Sequence, residues 1–456
     1  MRSLFGLVFF LLILGAGCSD SQDFTERFEQ DIYDLLDKMT LEEKIGQMFQ
    51  AADFYFTSDE ELKKAVREGR VGSFLNIQGA EKVVEIQRIA KEESRLGIPL
   101  LFGRDVIHGY RTIFPIPIGM ASSWDTALVK QAMRISAVEA ASMGINWAFA
   151  PMIDITWDPR WGRIAESTGE SPFLTSQFAK VMVQGIQGDL TDASAIAACA
   201  KHFVGYGMAE AGRDYNTTYI PEPLLRNVHL KPFEAAKDAG VLTFMSAFND
   251  LNGVPTSGNK FTLKTILRDE WNYKGLVVSD WASIEEMISH GYAKDKKHAA
   301  EIAVNAGVDM EMATTAYIEN LKNLVKEGKI SEKLINERVA NILRVKFQLG
   351  LFDKPIENSG LSSDTILAQS HLKHARDLAR NSMVLLKNEK HTLPVSKAIR
   401  SLAVIGPLAD APHDQMGTWV FDGKEEDSQT PKAAFQELLG NRMHYAPGLE
   451  YSRDKS

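Results

Sequence analysis

The fold of this chain is decided by the stretch Gly275-Leu276-Val277-Val278-Ser279-Asp280-Trp281. Its apolar centre, bounded by a glycine, predicts a short strand that is buried on both faces. A carboxylate and an indole follow at the C-terminal end of that strand, where parallel α/β folds place their functional groups. Asp280 is therefore a candidate nucleophile with Trp281 beside it. The alternative is that Asp280 only caps a helix beginning near Ser283.

The same pattern of short, apolar, β-rich runs recurs along the chain, with stretches of helical character between them. The other predicted strands are residues 45–50, 71–76, 99–104, 146–154, 195–202, 241–249 and 307–312. Strands that alternate with amphipathic helices predict βαβ units and a parallel sheet. Eight such strands within roughly 300 residues predict an α/β fold, a (β/α)8 barrel of the TIM type.

Polar residues stand at or just beyond the C-terminal ends of these predicted strands. They are Asp53, Asn76, Asp105, Asp154, Lys201, His202, Asn249, Asp280 and Glu311. Because the C-terminal ends of the strands of a barrel surround one mouth, we expect these side chains to converge on a single site.

Composition and charge argue against a nucleic-acid-binding protein. The 456 residues are 45% hydrophobic, which suffices for a large core and permits more than one domain. The formal net charge is −9, and Lys and Arg are interspersed with Asp and Glu instead of being clustered. No basic face for a phosphate backbone is therefore expected.

The N-terminus predicts export. Arg2 precedes an apolar run at residues 4–14, which is too short to span a bilayer and is typical of a signal peptide covering residues 1–17. The small residues Gly15-Ala16-Gly17 directly before Cys18 resemble a bacterial lipobox, so we expect a lipid on Cys18 and a tether over residues 18–30. This interpretation predicts a periplasmic or cell-surface protein, held at the outer membrane through its lipid alone.

Neither disulfides nor metal sites are indicated by the cysteines and histidines. Cys199 lies within a predicted strand, where a thiol behaves as a small buried apolar group. The ten histidines show no metal-binding spacing, and His371 and His374 are interpreted as solvated residues of a polar helix beyond the barrel. The sequence therefore predicts no metal and no organic cofactor.

Five ordered motifs resemble those of the family-three glycoside hydrolases, of the β-glucosidase type. They are Asp105-Val106-Ile107-His108-Gly109-Tyr110 with Thr112-Ile113-Phe114-Pro115, Asp158-Pro159-Arg160-Trp161-Gly162-Arg163, Ala200-Lys201-His202-Phe203, Phe244-Met245-Ser246-Ala247-Phe248-Asn249 and Val278-Ser279-Asp280-Trp281. The resemblance runs from about Met39 to the last residues, and a coincidence of five ordered motifs is improbable.

The resemblance implies roles for individual residues in the hydrolysis of a small-molecule oligosaccharide. Asp280 matches the nucleophile, which attacks the anomeric carbon and forms a covalent glycosyl-enzyme intermediate. The residues that match sugar-binding positions are Asp105, Arg163, Lys201, His202, Met245 and Trp281. Two alternatives stay open: Arg163 could simply pair with Glu166 or Glu170, and Met245 could belong to the core.

One departure from the family bears on specificity. Members that remove N-acetylglucosamine carry an Asp-x-His after the Lys-His strand, whereas this chain reads Arg213-Asp214-Tyr215-Asn216 there. The missing histidine favours the two-domain β-glucosidase branch. Activity on β-xylosides remains compatible with the sequence, and oligomeric state is not indicated.

A second domain is expected after the barrel of residues 31–350. Residues 351–376 are interpreted as a linker, and residues 377–456 as the incomplete start of an αβα sandwich with buried strands at 382–387 and 401–406. The resemblance places the general acid, a glutamate, beyond Ser456, with Glu311 as the one substitute considered. Two hypotheses follow: a retaining, exo-acting β-glucosidase, or a glycan-binding fragment that lacks the acid.

Overall fold

The structure, a computed structural model, describes residues 19–52, 54–77, 79–354 and 363–449, with only the backbone described for residues 19–27 and 363. Asp53, Cys18 and the predicted signal peptide lie outside the described residues, as do residues 355–362 of the predicted linker.

The described chain is built around one parallel sheet of eight strands, in the order β10-β1-β2-β3-β4-β5-β6-β9. The strands are β1 (Phe49–Ala52), β2 (Ser73–Leu75), β3 (Leu101–Arg104), β4 (Trp147–Ala148), β5 (Ala197–Phe203), β6 (Thr243–Ser246), β9 (Leu276–Val278) and β10 (Glu311–Met312). A parallel bridge between Val278 and Met310 joins the two ends of this order and closes the ring. The predicted (β/α)8 barrel is confirmed.

Helices connect the strands and surround the barrel. They are α1 (Ser19–Lys38), α2 (Leu41–Gln47), α3 (Asp59–Arg67), α4 (Ala80–Arg88), α5 (Pro117–Ser122), α6 (Thr126–Ser142), α7 (Pro172–Gln187), α8 (Glu222–Leu224), α9 (Lys231–Asp238), α10 (Ser283–Ser289), α11 (Lys296–Ala306), α12 (Ala316–Lys326) and α13 (Glu332–Gln348), with π-helical turns at Ile89–Glu93, Leu225–His229 and Phe261–Glu270. A hairpin of β7 (Asp250–Leu251) and β8 (Val254–Pro255) follows β6. Within the described ranges, no helix has the length and apolar character needed to cross a bilayer.

The first predicted strand, residues 45–50, is placed wrongly by about four residues. Thr40 and Glu43 form a reciprocal capping box that starts α2 at Leu41, and this helix continues to Gln47. The strand β1 begins only at Phe49. An apolar run of this kind fits a buried helix end as well as a strand, and the N-cap at Thr40, five residues before Ile45, decides between them.

The barrel interior is filled by large side chains packed against small ones. Phe149 occupies the space beside Gly103, where an added Cβ would stand 2.5 Å from the Phe149 ring. Trp147 is fully buried and donates from Nε1 to Oγ1 of Thr243 at 2.8 Å, so its polar atom is satisfied within the core. Cys199 is a buried free thiol, as expected, and burial raises its pKa to about 12.

The described part beyond the barrel contains α14 (Gln369–Asn381), α15 (Pro412–Met416), α16 (Pro431–Leu439) and two parallel strands, β11 (Leu402–Ile405) and β12 (Met443–Ala446). Part of the segment interpreted as a linker is thus helical from Gln369. The strand predicted at 401–406 is present as β11 but only half buried. The buried strand predicted at 382–387 is wrong, since residues 383–388 form no strand and Leu386 is 91% exposed.

The two histidines of α14 are not solvated as predicted. Nδ1 of His371 lies 2.8 Å from Oε1 of the buried Glu139, and Nε2 of His374 lies 2.8 Å from the carbonyl oxygen of Leu128. Glu139 and Leu128 both belong to α6. The prediction failed because the polar face of α14 packs against the barrel, and the sequence pattern of one helix does not show its partner.

Candidate active site

A cavity of about 620 Å³ lies at the C-terminal mouth of the barrel. Its lining includes Asn76, Asp105, Arg163, Glu166, Lys201, Asp214, Tyr215, Met245, Phe248, Asp280, Trp281, Trp419 and Phe421. The sequence-predicted residues Asp105, Arg163, Lys201, Met245, Asp280 and Trp281 are therefore brought together, and His202 lies directly behind them.

Asp280 presents one free carboxylate oxygen in this cavity. It follows β9, and its Oδ1 accepts a hydrogen bond from the backbone N–H of Trp281 at 2.7 Å. Its buried Oδ2 has no hydrogen-bond partner among the described residues. Burial raises the pKa of Asp280 to about 7, while the charges of Arg163 and Lys201 act in the opposite direction. An unpaired, desolvated carboxylate oxygen is available to an electrophile.

The alternative that Asp280 caps the next helix is wrong. The residue before α10 is Ala282, in the left-handed region, and no side chain caps this helix. The short link between β9 and α10 leaves the Asp280 side chain directed to the cavity lining instead.

His202 is held in one tautomer behind Asp280. Its backbone N–H and its Nδ1 lie 2.9 and 2.8 Å from Oδ2 of Asp154, while Nη2 of Arg163 lies 3.0 Å from its Nε2. Because the guanidinium only donates, Nε2 accepts and the ring proton sits on Nδ1. Burial, together with the charges of Arg163 and Lys201, lowers the pKa of His202 well below its usual value. Its Nε2 is 3.5 Å from Oδ2 of Asp280.

Arg163 forms the ion pair considered for it and also lines the cavity. It donates from Nε and Nη2 to the two oxygens of Glu166, at 2.7 and 3.0 Å, so the structural ion pair exists. It also lines the cavity, and its guanidinium carbon lies 5.5 Å from the ring centroid of Tyr206 and 5.7 Å from that of Trp419. The pairing with Glu166 fixes the plane of the guanidinium at the site.

Lys201 and Asp105 form an ion pair at the end of β5. Nζ of Lys201 donates to Oδ1 of Asp105 at 2.8 Å, and the two side chains are 3% and 15% exposed. Both residues line the cavity. A charged donor and a charged acceptor in contact with each other present matched partners for the hydroxyl groups of one ligand.

Met245 and Trp281 supply the apolar surface of the cavity. Met245 lies on β6, is 2% exposed and belongs to the hydrophobic core, yet it also lines the cavity. Trp281 is 39% exposed and its ring centroid lies 5.7 Å from that of Phe54. The alternative that Met245 is a core residue therefore holds together with its place in the lining.

Of the described strand-end residues, Asp154, His202, Glu311 and Asn249 do not line the cavity. Glu311 is buried and accepts hydrogen bonds from Oγ1 of Thr314 at 2.6 Å and from the backbone N–H groups of Ala316 and Tyr317 at 2.9 and 2.6 Å. It therefore satisfies the first turn of α12, which argues against it as a substitute acid. Asn249 is buried and donates to Oγ1 of Thr218 at 2.8 Å.

The loop after β5 contributes residues that the sequence reasoning missed. Oδ1 of Asp214 accepts from the hydroxyl of Tyr206 at 2.6 Å and from Nε1 of Trp161 at 2.9 Å. Tyr215 packs against Phe248, with ring centroids 4.4 Å apart. Residues 213–216 contain no histidine, and nothing in the local pattern indicates Asp214 and Tyr215 as lining residues.

Trp419 and Phe421 were also missed, since they come from the part of the chain beyond the barrel. Their ring centroids are 5.5 Å apart, and Trp419 lies 5.6 Å from Nζ of Lys201. The available signal was two aromatic residues between Gly417 and Gly423. Residues separated by more than 200 positions from Lys201 cannot be placed beside it by periodicity.

The arrangement fits carbohydrate chemistry. Charged donors and acceptors, aromatic rings and one free carboxylate surround the cavity, which is the combination used to bind and attack a polyhydroxylated ring. Within the described residues, no group of three or more His, Cys, Asp or Glu side chains could hold a metal ion.

Comparison with known proteins agrees with the resemblance. Residues 40–345 match the family model "Glycosyl hydrolase family 3 N terminal domain". The chain is 40% identical over 432 residues to a periplasmic beta-glucosidase of Salmonella typhimurium, covering 93% of this chain and 56% of that protein. It is 35% identical over 393 residues to a beta-xylosidase of Formosa agariphila, covering 80% and 53%.

Solved structures give the same result. The beta-glucosidase from Listeria innocua in complex with glucose superposes with a TM-score of 0.87 and 39% identity, covering 93% of this chain and 61% of that one. The chain belongs to glycosyl hydrolase family 3. It spans a little over half the length of the curated relatives it matches.

Proposed function

We propose that this chain carries the catalytic barrel of a retaining, exo-acting β-glucosidase, in which Asp280 is the nucleophile. The observation that carries the proposal is Oδ2 of Asp280, a buried carboxylate oxygen with no hydrogen-bond partner in the described part of the chain, at the mouth of a barrel of this family. Attack on the anomeric carbon would give a covalent glycosyl-enzyme, which water then hydrolyses.

The remaining residues have separate tasks in this proposal. The Lys201–Asp105 pair and Arg163 bind the hydroxyl groups of the terminal sugar, while Met245 and Trp281 contact its C–H faces. His202, kept neutral with its proton on Nδ1, presents an acceptor atom next to Asp280 without neutralising it by an ion pair. The imidazole therefore leaves Oδ2 of Asp280 available for the displacement.

Retention also requires a second carboxyl group that protonates the leaving oxygen, about 5 to 5.5 Å from the nucleophile. The other cavity-lining carboxylates of the described residues are already engaged: Asp105 with Lys201, Glu166 with Arg163, and Asp214 with Tyr206 and Trp161. The proposal therefore assigns the acid to none of them. These engagements also favour the second candidate function, glycan binding without turnover by this stretch of chain.

Two extensions concern substrate and location. The relative from Formosa agariphila is a beta-xylosidase, which supports β-xylosides as the alternative substrate. The relative from Salmonella typhimurium is periplasmic, which supports export of this chain, as does the apolar run after Arg2. Attachment of a lipid to Cys18 remains part of the proposal and is testable by metabolic labelling with a fatty acid.

The proposal is tested with a 2-deoxy-2-fluoro-glucoside bearing a dinitrophenolate leaving group, which needs the nucleophile and the sugar site but little help from an acid. We expect a stoichiometric mass increase that maps to Asp280. Asp280→Asn should abolish labelling, and Asp189→Asn, an exposed carboxylate on the loop before β5, should not change it. A folded protein that takes up no label, yet binds glucose or cellobiose, would replace the enzyme hypothesis by the binding one.

A further inference from the structure

Residues 416–427 of the C-terminal part lie against the loop that follows β3. The helix α15 ends at Met416, and the chain then places Trp419 and Phe421 in the lining of the cavity. We call these two residues the aromatic wall. The loop that faces them, residues 104–111, contributes three nitrogen-bearing side chains to the contact.

The first contact is a bidentate ion pair. The Arg104 side chain is 4% exposed and donates from Nε at 2.8 Å and from Nη2 at 3.1 Å to the two carboxylate oxygens of Asp422. Its guanidinium carbon lies 5.0 Å from the ring centroid of Phe421. Two parallel hydrogen bonds to one carboxylate fix orientation as well as distance, so Asp422 and the neighbouring ring are held in one place.

The second and third contacts come from His108 and Arg111. Nε2 of the buried His108 lies 2.6 Å from the carbonyl oxygen of Thr418, and its Nδ1 lies 2.8 Å from the carbonyl oxygen of Phe114. Arg111 forms an ion pair with Asp427, with both side chains largely buried.

The backbone approach is equally close. A Cβ added to Gly417 would stand 2.6 Å from Cγ2 of Ile116, and one added to Gly423 would stand 3.1 Å from Cγ1 of Ile113. Trp419 has a φ of +58°, in the left-handed region that residues with a side chain rarely adopt. Such a conformation persists where surrounding contacts over-determine it, and the three polar contacts provide that constraint.

We propose that Arg104, His108 and Arg111 are positioning residues that hold the aromatic wall at the edge of the cavity. They act through Asp422, the Thr418 carbonyl and Asp427, and none of the three is required to touch the ligand. The consequence for substrate binding rests on the proposed function. A displaced aromatic wall weakens binding of the glycoside, while Asp280 and its surroundings stay intact.

The test combines hydrogen–deuterium exchange with steady-state kinetics on the full chain. In Asp422→Asn we expect faster exchange of residues 416–427 and a KM for an aryl β-glucoside that rises about ten-fold with little change in kcat. Asp410→Asn removes a partly exposed ion pair with Lys432 in the same part of the chain and is the matched control. The charge swap Arg104→Asp with Asp422→Arg should restore part of the lost protection.

The exchange measurement and the kinetic measurement test different parts of the proposal. Unchanged exchange of residues 416–427 in Asp422→Asn would overturn the positioning role whatever the kinetics are. Faster exchange with an unchanged KM would also overturn it, because the wall would then not serve binding. If the wild type hydrolyses no glycoside, the proposed function fails, and the exchange of the variant still decides whether these contacts hold the segment.

Discussion

Nη2 of Arg163 lies 3.0 Å from Nε2 of His202, and this contact fixes where the imidazole carries its proton. The proton is thereby directed to Asp154, and Nε2 remains an acceptor beside Asp280. The guanidinium of Arg163, which is itself paired with Glu166, thus determines which nitrogen of His202 carries the proton.

Removing Asp154 should destabilise the fold and impair the site. Asp154→Ala leaves the backbone N–H and Nδ1–H of His202 without an acceptor in a buried place, which costs about 1–3 kcal/mol for each unpaired group. We expect a lower midpoint in urea denaturation and a lower kcat/KM. Asp37→Ala, at an exposed carboxylate of α1, is the control and should leave both nearly unchanged. A midpoint equal to that of the wild type would contradict the buried hydrogen-bond assignment.

The rate of covalent labelling should depend on pH with an inflection near the pKa of Asp280. Burial raises that pKa to about 7, so the reactive carboxylate accumulates as the pH rises through this value. Lys201→Met removes a charge that lowers the pKa of Asp280 and should move the inflection upward. Lys373→Met, at an exposed position of α14, should not move it. An inflection that moves downward in Lys201→Met would refute the electrostatic account.

The raised pKa of Asp280 also predicts that this carboxylate reduces stability at alkaline pH. Between the ordinary pKa of an aspartate and about 7, the folded protein holds a proton that the unfolded chain has released. Stability therefore falls as the pH rises through this range. Asp280→Asn removes the penalty, so its melting temperature should exceed that of the wild type at pH 8 by more than at pH 5. Equal differences at both values would argue against the shift.

Glu311→Gln should separate stability from activity. The carboxylate accepts three hydrogen bonds at the start of α12, and an amide there replaces one acceptor by a donor facing N–H groups, at a cost of about 1–3 kcal/mol. Because Glu311 does not line the cavity, we expect kcat/KM per folded molecule to be unchanged. Denaturant titration and active-site labelling measure the two quantities. A loss of turnover that an added small acid rescues would reinstate Glu311 as the acid.

The buried Glu139 should be a principal contributor to the stability of the loop after β3. Its oxygens accept from the backbone N–H groups of Arg111, Thr112 and Leu367 and face Nδ1 of His371. Glu139→Gln turns one acceptor into a donor against these donors, and we expect a loss of about 2–4 kcal/mol. Glu337→Gln on the outer helix α13 serves as the comparison. Equal unfolding midpoints for the two variants would show that Glu139 is not needed.

The barrel could be predicted from the sequence because its signal is local and repeated. Each strand is an apolar run with a polar residue at its C-terminal end, and the barrel rule converts eight such ends into one site. Asp105, Lys201 and Asp280 were found in this way. Neither Arg163 nor Met245 is among the polar residues at the ends of the predicted strands. Both are identified only through the family resemblance.

The parts that could not be predicted depend on contacts between distant segments. The Trp419 ring reaches the cavity because Asp422 pairs with Arg104, more than 300 positions earlier in the chain. His371 is largely shielded from solvent because α14 packs on α6, and Leu386 is exposed although its neighbours have strand character. In each case the local pattern is compatible with either outcome, and the identity of the partner decides.

The closure of the barrel beside Asp280 is made partly by side chains. Oδ2 of Asp309 accepts from the backbone N–H of Val277 at 2.7 Å, and Oγ of Ser279 accepts from the backbone N–H of Met312 at 2.9 Å. Two side-chain oxygens thus take the place of ladder carbonyls at the seam next to the bridge between Val278 and Met310. The position of the Asp280 carboxylate relative to the ring of strands therefore depends on side chains that a substitution can replace. We expect a substitution at Ser279 to shift the Asp280 carboxylate while the rest of the barrel keeps its register, so that the reactivity proposed for this group is adjustable without a change of scaffold.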